Sequence, residues 1–198
     1  MMFFLDTNIF VESKKHFYAP DICPAFWQWL CEDGAEGKII RSISNVLKEL
    51  EAGSDDLPRW AKKMLPKDFF IKTDKDIEII EERRKMQDAL VSSGRWEGSR
   101  LRNFLSQADL WLIATAKVKG GCVVTNEHVN PVQKRIKIPL AAEELGVPCC
   151  TIYDVMRTMG IRLPIYDRDG GKRKLSFSGG RFAVPTRPSF SDVFSLDP

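Results

Sequence analysis

Four acidic residues, Asp6, Glu49, Asp109 and Glu127, are scattered along this chain of 198 residues, each where an apolar strand stops or a helix begins. In an open parallel α/β sheet such points lie along one edge, where ligands bind at the reversal of strand order. Carboxylates gathered there would make an all-oxygen cage for a hard divalent cation such as Mg²⁺. Taken singly, each acid also has an ordinary role. Asp6 suits a helix cap, Glu49 a solvated helix face, and Glu127 a turn. Asp109 lies in a first helical turn that favours an acid, but its neighbours Ala108, Leu110, Trp111, Leu112 and Ile113 are apolar. A carboxylate buried there is costly unless paired or bound to a cation.

The elements that must position these acids can be read from the pattern. Phe3 to Leu5 is a buried first strand that delivers Asp6, with Thr7 and Asn8 capping or turning the chain after it. Pro24 opens an aromatic-rich helix that Gly34 and Gly37 would close. A second strand spans Lys38 to Ile43, and Ser44 would cap a helix running to Leu50. Helices follow over Leu57 to Met64 and over Asp74 to about Ser93. Ser106 would cap a strongly apolar helix, Ala108 to Lys119. A short strand from Cys122 to Thr125 leads to Glu127. A short helix (Leu140 to Leu145), a strand (Cys149 to Ile152) and a closing helix (Tyr153 to Met159) complete the domain. Strands alternating with helices predict an α/β/α fold of three layers around a parallel sheet of four to five strands. The domain would cover residues 1–163. Residues 164–198, with Gly170-Gly171, Gly179-Gly180 and several prolines, read as a basic, loosely ordered extension with one hairpin at most.

Composition sets bounds on function. A hydrophobic content of 43% suits a globular domain with a real core. The five cysteines are odd in number and show no C-x-x-C spacing, so neither a disulfide framework nor a structural zinc site is indicated, and a reducing, cytoplasmic compartment fits. No apolar run is long enough to span a membrane, and Met1-Met2-Phe3-Phe4-Leu5 lacks the basic flank and cleavage site of a signal peptide. The net charge is +3, of which residues 165–198 carry +2 (six basic residues against four acids), so global charge does not argue for nucleic acid.

The residues resemble a known family. Phe4-Leu5-Asp6-Thr7-Asn8, Leu47-Lys48-Glu49-Leu50, the run Ala108-Asp109-Leu110-Trp111-Leu112-Ile113-Ala114, and Val123-Val124-Thr125-Asn126-Glu127 resemble, in order and spacing, the four motifs of PIN domains. The stretch from Lys134 through Pro139 to Val147 resembles a bacterial PIN-like subgroup of unassigned function. The resemblance implies a metal-dependent endoribonuclease of the kind seen in toxins of toxin–antitoxin pairs. It implies Asp6, Glu49 and Asp109 as ligands of Mg²⁺ or Mn²⁺, with Glu127 in the fourth catalytic position. Glu127 stands where Asp is common and is one methylene longer, so direct and water-mediated roles are both open. Thr7, Asn8 and Thr125 match supporting polar positions.

Because clustered acids repel phosphate, RNA must be met by local cations. Arg95, Arg100 and Arg102 precede the Asp109 helix, Lys134, Arg135 and Lys137 follow Glu127, and Lys14 and Lys15 follow the first motif. Each run also reads as a solvated face. Trp96 and Trp111 are candidates for base stacking or for the core. The implied partners are single-stranded or structured RNA, an antitoxin protein, and a second copy docked through the apolar helix Phe26 to Leu30. Two other readings compete. One is an inactive PIN-like module acting through protein or RNA contacts. The other, a haloacid-dehalogenase-like phosphatase, needs a second acid two residues after Asp6, where Asn8 stands.

Overall fold

A computed structural model of the chain describes residues 1–96, 98–129 and 135–164. Five parallel strands form its centre: β1 (Phe3–Leu5), β2 (Ile40–Ile43), β3 (Phe70–Ile71), β4 (Cys122–Val124) and β5 (Cys149–Cys150). They are ordered β3-β2-β1-β4-β5. Phe3 pairs with both Ile40 and Cys122, and Leu5 pairs with Val124, so β1 is the middle strand. Phe3, Phe4 and Leu5 are buried, as a strand covered on both faces requires.

Connections between parallel strands are right-handed crossovers, and this strand order places helices on both faces. They are α1 (Thr7–Glu12), α2 (Pro24–Trp29), α3 (Ser44–Ala52), α4 (Leu57–Met64), α5 (Ile77–Ser92), α6 (Gly98–Ser106), α7 (Ala108–Val118) and α8 (Ile138–Glu144). The expected three-layer α/β/α fold is therefore present. Helix α7 is the buried spine, with Leu110, Leu112, Ile113, Ala114 and Ala116 wholly inaccessible. Residues Met1–Ile152 form one compact unit, and Tyr153 onward forms a second, whose described part carries most of α9 (Ile152–Thr158). The hairpin expected in the extension falls outside the described residues.

Several boundaries differ from expectation for local reasons. Strand β2 begins at Ile40 because Lys38 adopts a left-handed backbone (φ 57°) that ends pairing. Strand β3 has two residues, too few for any periodicity. The helix expected from Asp74 starts at Ile77, because Asp76 caps it through a bond from the Ile79 N–H (3.3 Å). Ser44 is the first residue of α3 and not its cap, and α8 opens at Ile138 with Pro139 in its first turn. Ser106 closes α6, and Gln107 takes the cap position of α7 without a side-chain bond.

The helix Phe26 to Leu30, expected to serve a dimer, is instead core. Phe26, Trp27, Trp29 and Leu30 are buried, Phe26 stacks on Tyr18 (4.2 Å between centroids), and Trp27 meets Trp60 edge-on (4.7 Å). Its apolar residues have no free face to offer.

Close approach also constrains the central strand. A Cβ on Gly121 would lie 2.5 Å from the Phe4 ring and 2.7 Å from the Met2 carbonyl oxygen. Gly121→Ala should therefore destabilise the fold by about 1–3 kcal/mol through overpacking. A denaturant titration with an unchanged midpoint would contradict this packing.

Candidate metal centre

Strand order reverses between β1 and β4, and both strands end in polar residues. Asp6 follows β1 with extended backbone, donates its N–H to Val124 O (3.0 Å) and caps α1 by accepting the Thr7 N–H on Oδ1 (2.6 Å). Its Oδ2 accepts the Thr125 hydroxyl (3.0 Å), which reaches it from the end of β4. That hydroxyl accepts in turn from Asn8 Nδ2 (2.7 Å) and from the Glu127 N–H (3.2 Å). One donor and two acceptor positions are thus filled, the full capacity of a hydroxyl. Asn8 completes the clamp, because its Oδ1 accepts the Asn126 N–H (3.2 Å).

Glu49 projects from α3 toward the start of α7. Its Oε1 accepts the Ala108 N–H (3.2 Å) and its Oε2 accepts the Thr7 hydroxyl (2.5 Å). The glutamate of one helix thereby caps another, supplying the bond that Gln107 does not make. Glu127 does the same for α8: Oε2 accepts the Ile138 N–H (2.9 Å), and Oε1 pairs with Lys137 Nζ (2.5 Å). Both glutamates satisfy helix N-termini, which leave N–H groups unpaired and carry partial positive charge.

Asp109 lies half-buried in the first turn of α7. It lines an open cavity of about 410 Å³ together with Asp6, Thr7, Asn8, Val11, Glu12, Glu49, Gln107 and Glu127. All four acids singled out from the sequence therefore face one space. Glu12 and Gln107 join them without any sequence signal, since each reads as a solvated helix residue.

The electrostatics follow from this crowding. Burial, then the charge of Asp109 and that of Glu127, hold the Asp6 carboxyl well above the usual range against the bonds from Thr125 and Thr7. Burial, with Glu127 and Glu49, pushes Asp109 up to about 7, opposed by Lys137. Among the described residues, no three His, Cys, Asp or Glu side chains are grouped to hold a metal ion between them. The oxygen-only donors and unbalanced negative charge nevertheless fit Mg²⁺ or Mn²⁺, because Mg²⁺ is commonly held by one or two carboxylates with its remaining places left to water and phosphate. Asp6 and Asp109 are the carboxyls that burial and neighbouring acids hold above their ordinary range. Glu49, expected as a third ligand, accepts one hydrogen bond on each oxygen, as Asp6 does.

The expected RNA-binding cations are placed unevenly. Arg95 pairs with Glu144 (3.4 Å) and lies over Trp96 (4.8 Å), whose Nε1 also donates to Glu144 (2.9 Å). Glu144 ends α8, at the opposite end from Ile138 and Glu127, so this group stands off from the acids. Arg83 covers a face of Trp111 (4.5 Å). Arg100 and Arg102 are exposed on α6, which leads into Gln107, and Arg135 is exposed before α8. Lys134 lies outside the described residues. Lys14 pairs with Asp55 (3.4 Å) and with Asp56.

Raising the Asp109 value above the ordinary 3.8 makes its ionisation oppose folding. Its contribution is fully present below about pH 3.8 and is lost as pH rises through about 7. In chelator, the melting temperature of Asp109→Asn relative to the native chain should climb across that window and level off above it. A difference independent of pH would show that this carboxyl is not shifted.

Solved structures similar to this chain include three of low identity. FitAB bound to an IR36 DNA fragment has 13% identity and a TM-score of 0.46, covering 76% of this chain and 94% of that one. FitAcB from Neisseria gonorrhoeae has 15% identity and a TM-score of 0.46, covering 75% and 96%. VapBC2 from Rickettsia felis, bound to a DNA fragment from its promoter, has 22% identity and a TM-score of 0.45, covering 76% and 98%. Curated proteins provide no significant match. Residues 3–163 match a family as a whole, and the chain belongs to it: DUF4411, a domain of unknown function.

Proposed function

We propose that this protein is an endoribonuclease dependent on Mg²⁺ or Mn²⁺, of the PIN-like kind that its motifs resemble. The observation that carries the reading is the meeting of Asp6 and Asp109 at one open cavity, beside the reversal of strand order, with Glu49 and Glu127 at its margin. Ligands bind at such reversals in parallel sheets. Asp6 and Asp109 would hold the cation, which when bound activates water and stabilises charge on a phosphodiester. Asp6 is fixed in orientation by the Thr7 N–H and the Thr125 hydroxyl. Asp109 is bonded by its own backbone N–H, and its carboxyl lines the cavity. Arg100, Arg102 and Arg135 are exposed and have no partner among the described residues, so they are the cations we assign to the RNA backbone. An antitoxin protein belongs to this reading on the strength of the motif resemblance, and a cytoplasmic location on the cysteine content. Among the described residues no helix is long and apolar enough to cross a membrane.

A second reading, an inactive PIN-like module acting through protein or RNA contacts, is favoured by one observation. Glu49 and Glu127 both serve as helix caps, and among the described residues no group of three carboxylates closes on a common point.

Cleavage of single-stranded RNA by the purified chain should require Mg²⁺ or Mn²⁺, and Asp109→Asn should lower it by at least about a hundredfold. Equal rates for native and variant chains would remove the assignment. Absence of any divalent-ion binding in calorimetry would favour the inactive module.

A further inference from the structure

Two of the five free thiols meet on the strands beside the site. Cys122 opens β4, Cys150 ends β5, and their sulfur atoms lie 3.3 Å apart although 28 positions separate them in the chain. The register pairs Val124 with Cys150, which sets Cys122 and Cys150 on one face of the sheet, offset by two residues. Their exposures differ. Cys122 is fully buried on an inner strand, whereas Cys150 is half-buried on the edge strand next to it. Cys149 takes no part: it faces the other way in β5, and burial, with the neighbouring Cys122, pushes its thiol up to about 12, where little reactive thiolate remains.

Hydrogen bonds lead from this pair to the acids. The carbonyl oxygen of Cys150 accepts the Thr125 N–H (3.0 Å), and the Thr125 hydroxyl donates to Asp6 Oδ2 (3.0 Å). Moving Cys150 therefore moves the residue that orients Asp6. A disulfide needs its sulfur atoms about 2 Å apart and its Cα atoms usually within about 7 Å. Strands about 4.8 Å apart that rise about 3.3 Å per residue put Cα atoms offset by two residues about 8 Å apart. Bridging the pair thus draws β5, an edge strand of two residues, along β4 toward Cys122.

We propose that Cys122 and Cys150 are a redox-modification site: a peroxide converts the pair to a disulfide, and the shift of β5 loosens the hold of Thr125 on Asp6. The more accessible Cys150 sulfur attacks one peroxide oxygen, the O–O bond breaks, and a sulfenic acid and water form. The Cys122 sulfur then attacks the Cys150 sulfur, the S–O bond breaks, a second water leaves and the S–S bond closes. Each sulfur is oxidised by one electron, and the peroxide is reduced to water. A small dithiol returns both electrons and both protons.

Treatment with hydrogen peroxide followed by mass spectrometry tests this on the native chain and on Cys122→Ser, Cys149→Ser and Cys150→Ser. Native and Cys149→Ser chains should stay monomeric, lose two hydrogens, yield a peptide cross-linked between positions 122 and 150, and recover in dithiothreitol. Cys122→Ser and Cys150→Ser should not form that cross-link. In the oxidised native chain, amide hydrogen exchange at Thr125, read by NMR, should be about tenfold faster. An unchanged mass, sulfinic acid without a disulfide, or a cross-link between Cys149 and Cys150 or between chains would overturn the assignment of the pair, and the native and Cys149→Ser results decide this even if Cys122→Ser fails to fold. Unchanged exchange at Thr125 in a chain that carries the cross-link would overturn the connection to Asp6.

Discussion

Burial of the Asp6 carboxyl at the end of the middle strand is the constraint around which the site is organised. A carboxylate in that position needs donors, and the structure provides them from two directions. The Thr7 N–H comes from the helix that Asp6 itself caps, and the Thr125 hydroxyl comes from the neighbouring strand. Because Thr125 is saturated by Asp6, Asn8 and Glu127, the orientation of the loop after β4 follows from the same requirement. Structural and chemical demands on Asp6 therefore coincide, and the residue that caps α1 also sets the negative field of the cavity.

The two glutamates carry the same economy between elements. Glu49 ties α3 to the start of α7 and Glu127 ties the loop after β4 to the start of α8. Each places an acid near the cavity while answering the unpaired N–H groups of a helix that lacks a cap of its own. The extra methylene of Glu127 gives its carboxylate the reach to span Lys137 and Ile138 together. Negative charge at this edge is thus partly held in place by helix dipoles, while burial and neighbouring acids hold the Asp6 and Asp109 carboxyls above their ordinary range.

Much of this was legible in the sequence because the informative residues sit in short, strongly patterned segments. Phe3 to Leu5 and Cys122 to Val124 are apolar runs ending in polar residues, and the apolar sequence around Asp109 betrayed a buried helix start. The supporting roles of Thr7, Asn8 and Thr125 followed from their positions beside Asp6 and after β4. What was hidden depends on pairings distant in sequence. The bond from Ala108 to Glu49 spans 59 residues, so Ser106 was the natural choice of cap from local pattern alone. Strand β3 exists through its pairing with β2 and not through its own two residues. The aromatic helix around Phe26 has the composition of an interface, and only the positions of Tyr18 and Trp60 reveal that it faces inward.

The bond between Thr125 and Asp6 joins residues 119 apart, across the pairing of β1 with β4. Closing so long a segment carries a large entropic cost before any contact repays it, and such contacts slow folding. During synthesis β1 and β2 can pair early, since fewer than forty residues separate them. The acidic centre cannot be completed until β4 has emerged and docked beside β1. A chain interrupted before that strand would hold Asp6 without its hydroxyl donor and Asp109 without the loop that bears Glu127, so the ability to do chemistry arrives only when β4 closes the long span back to β1.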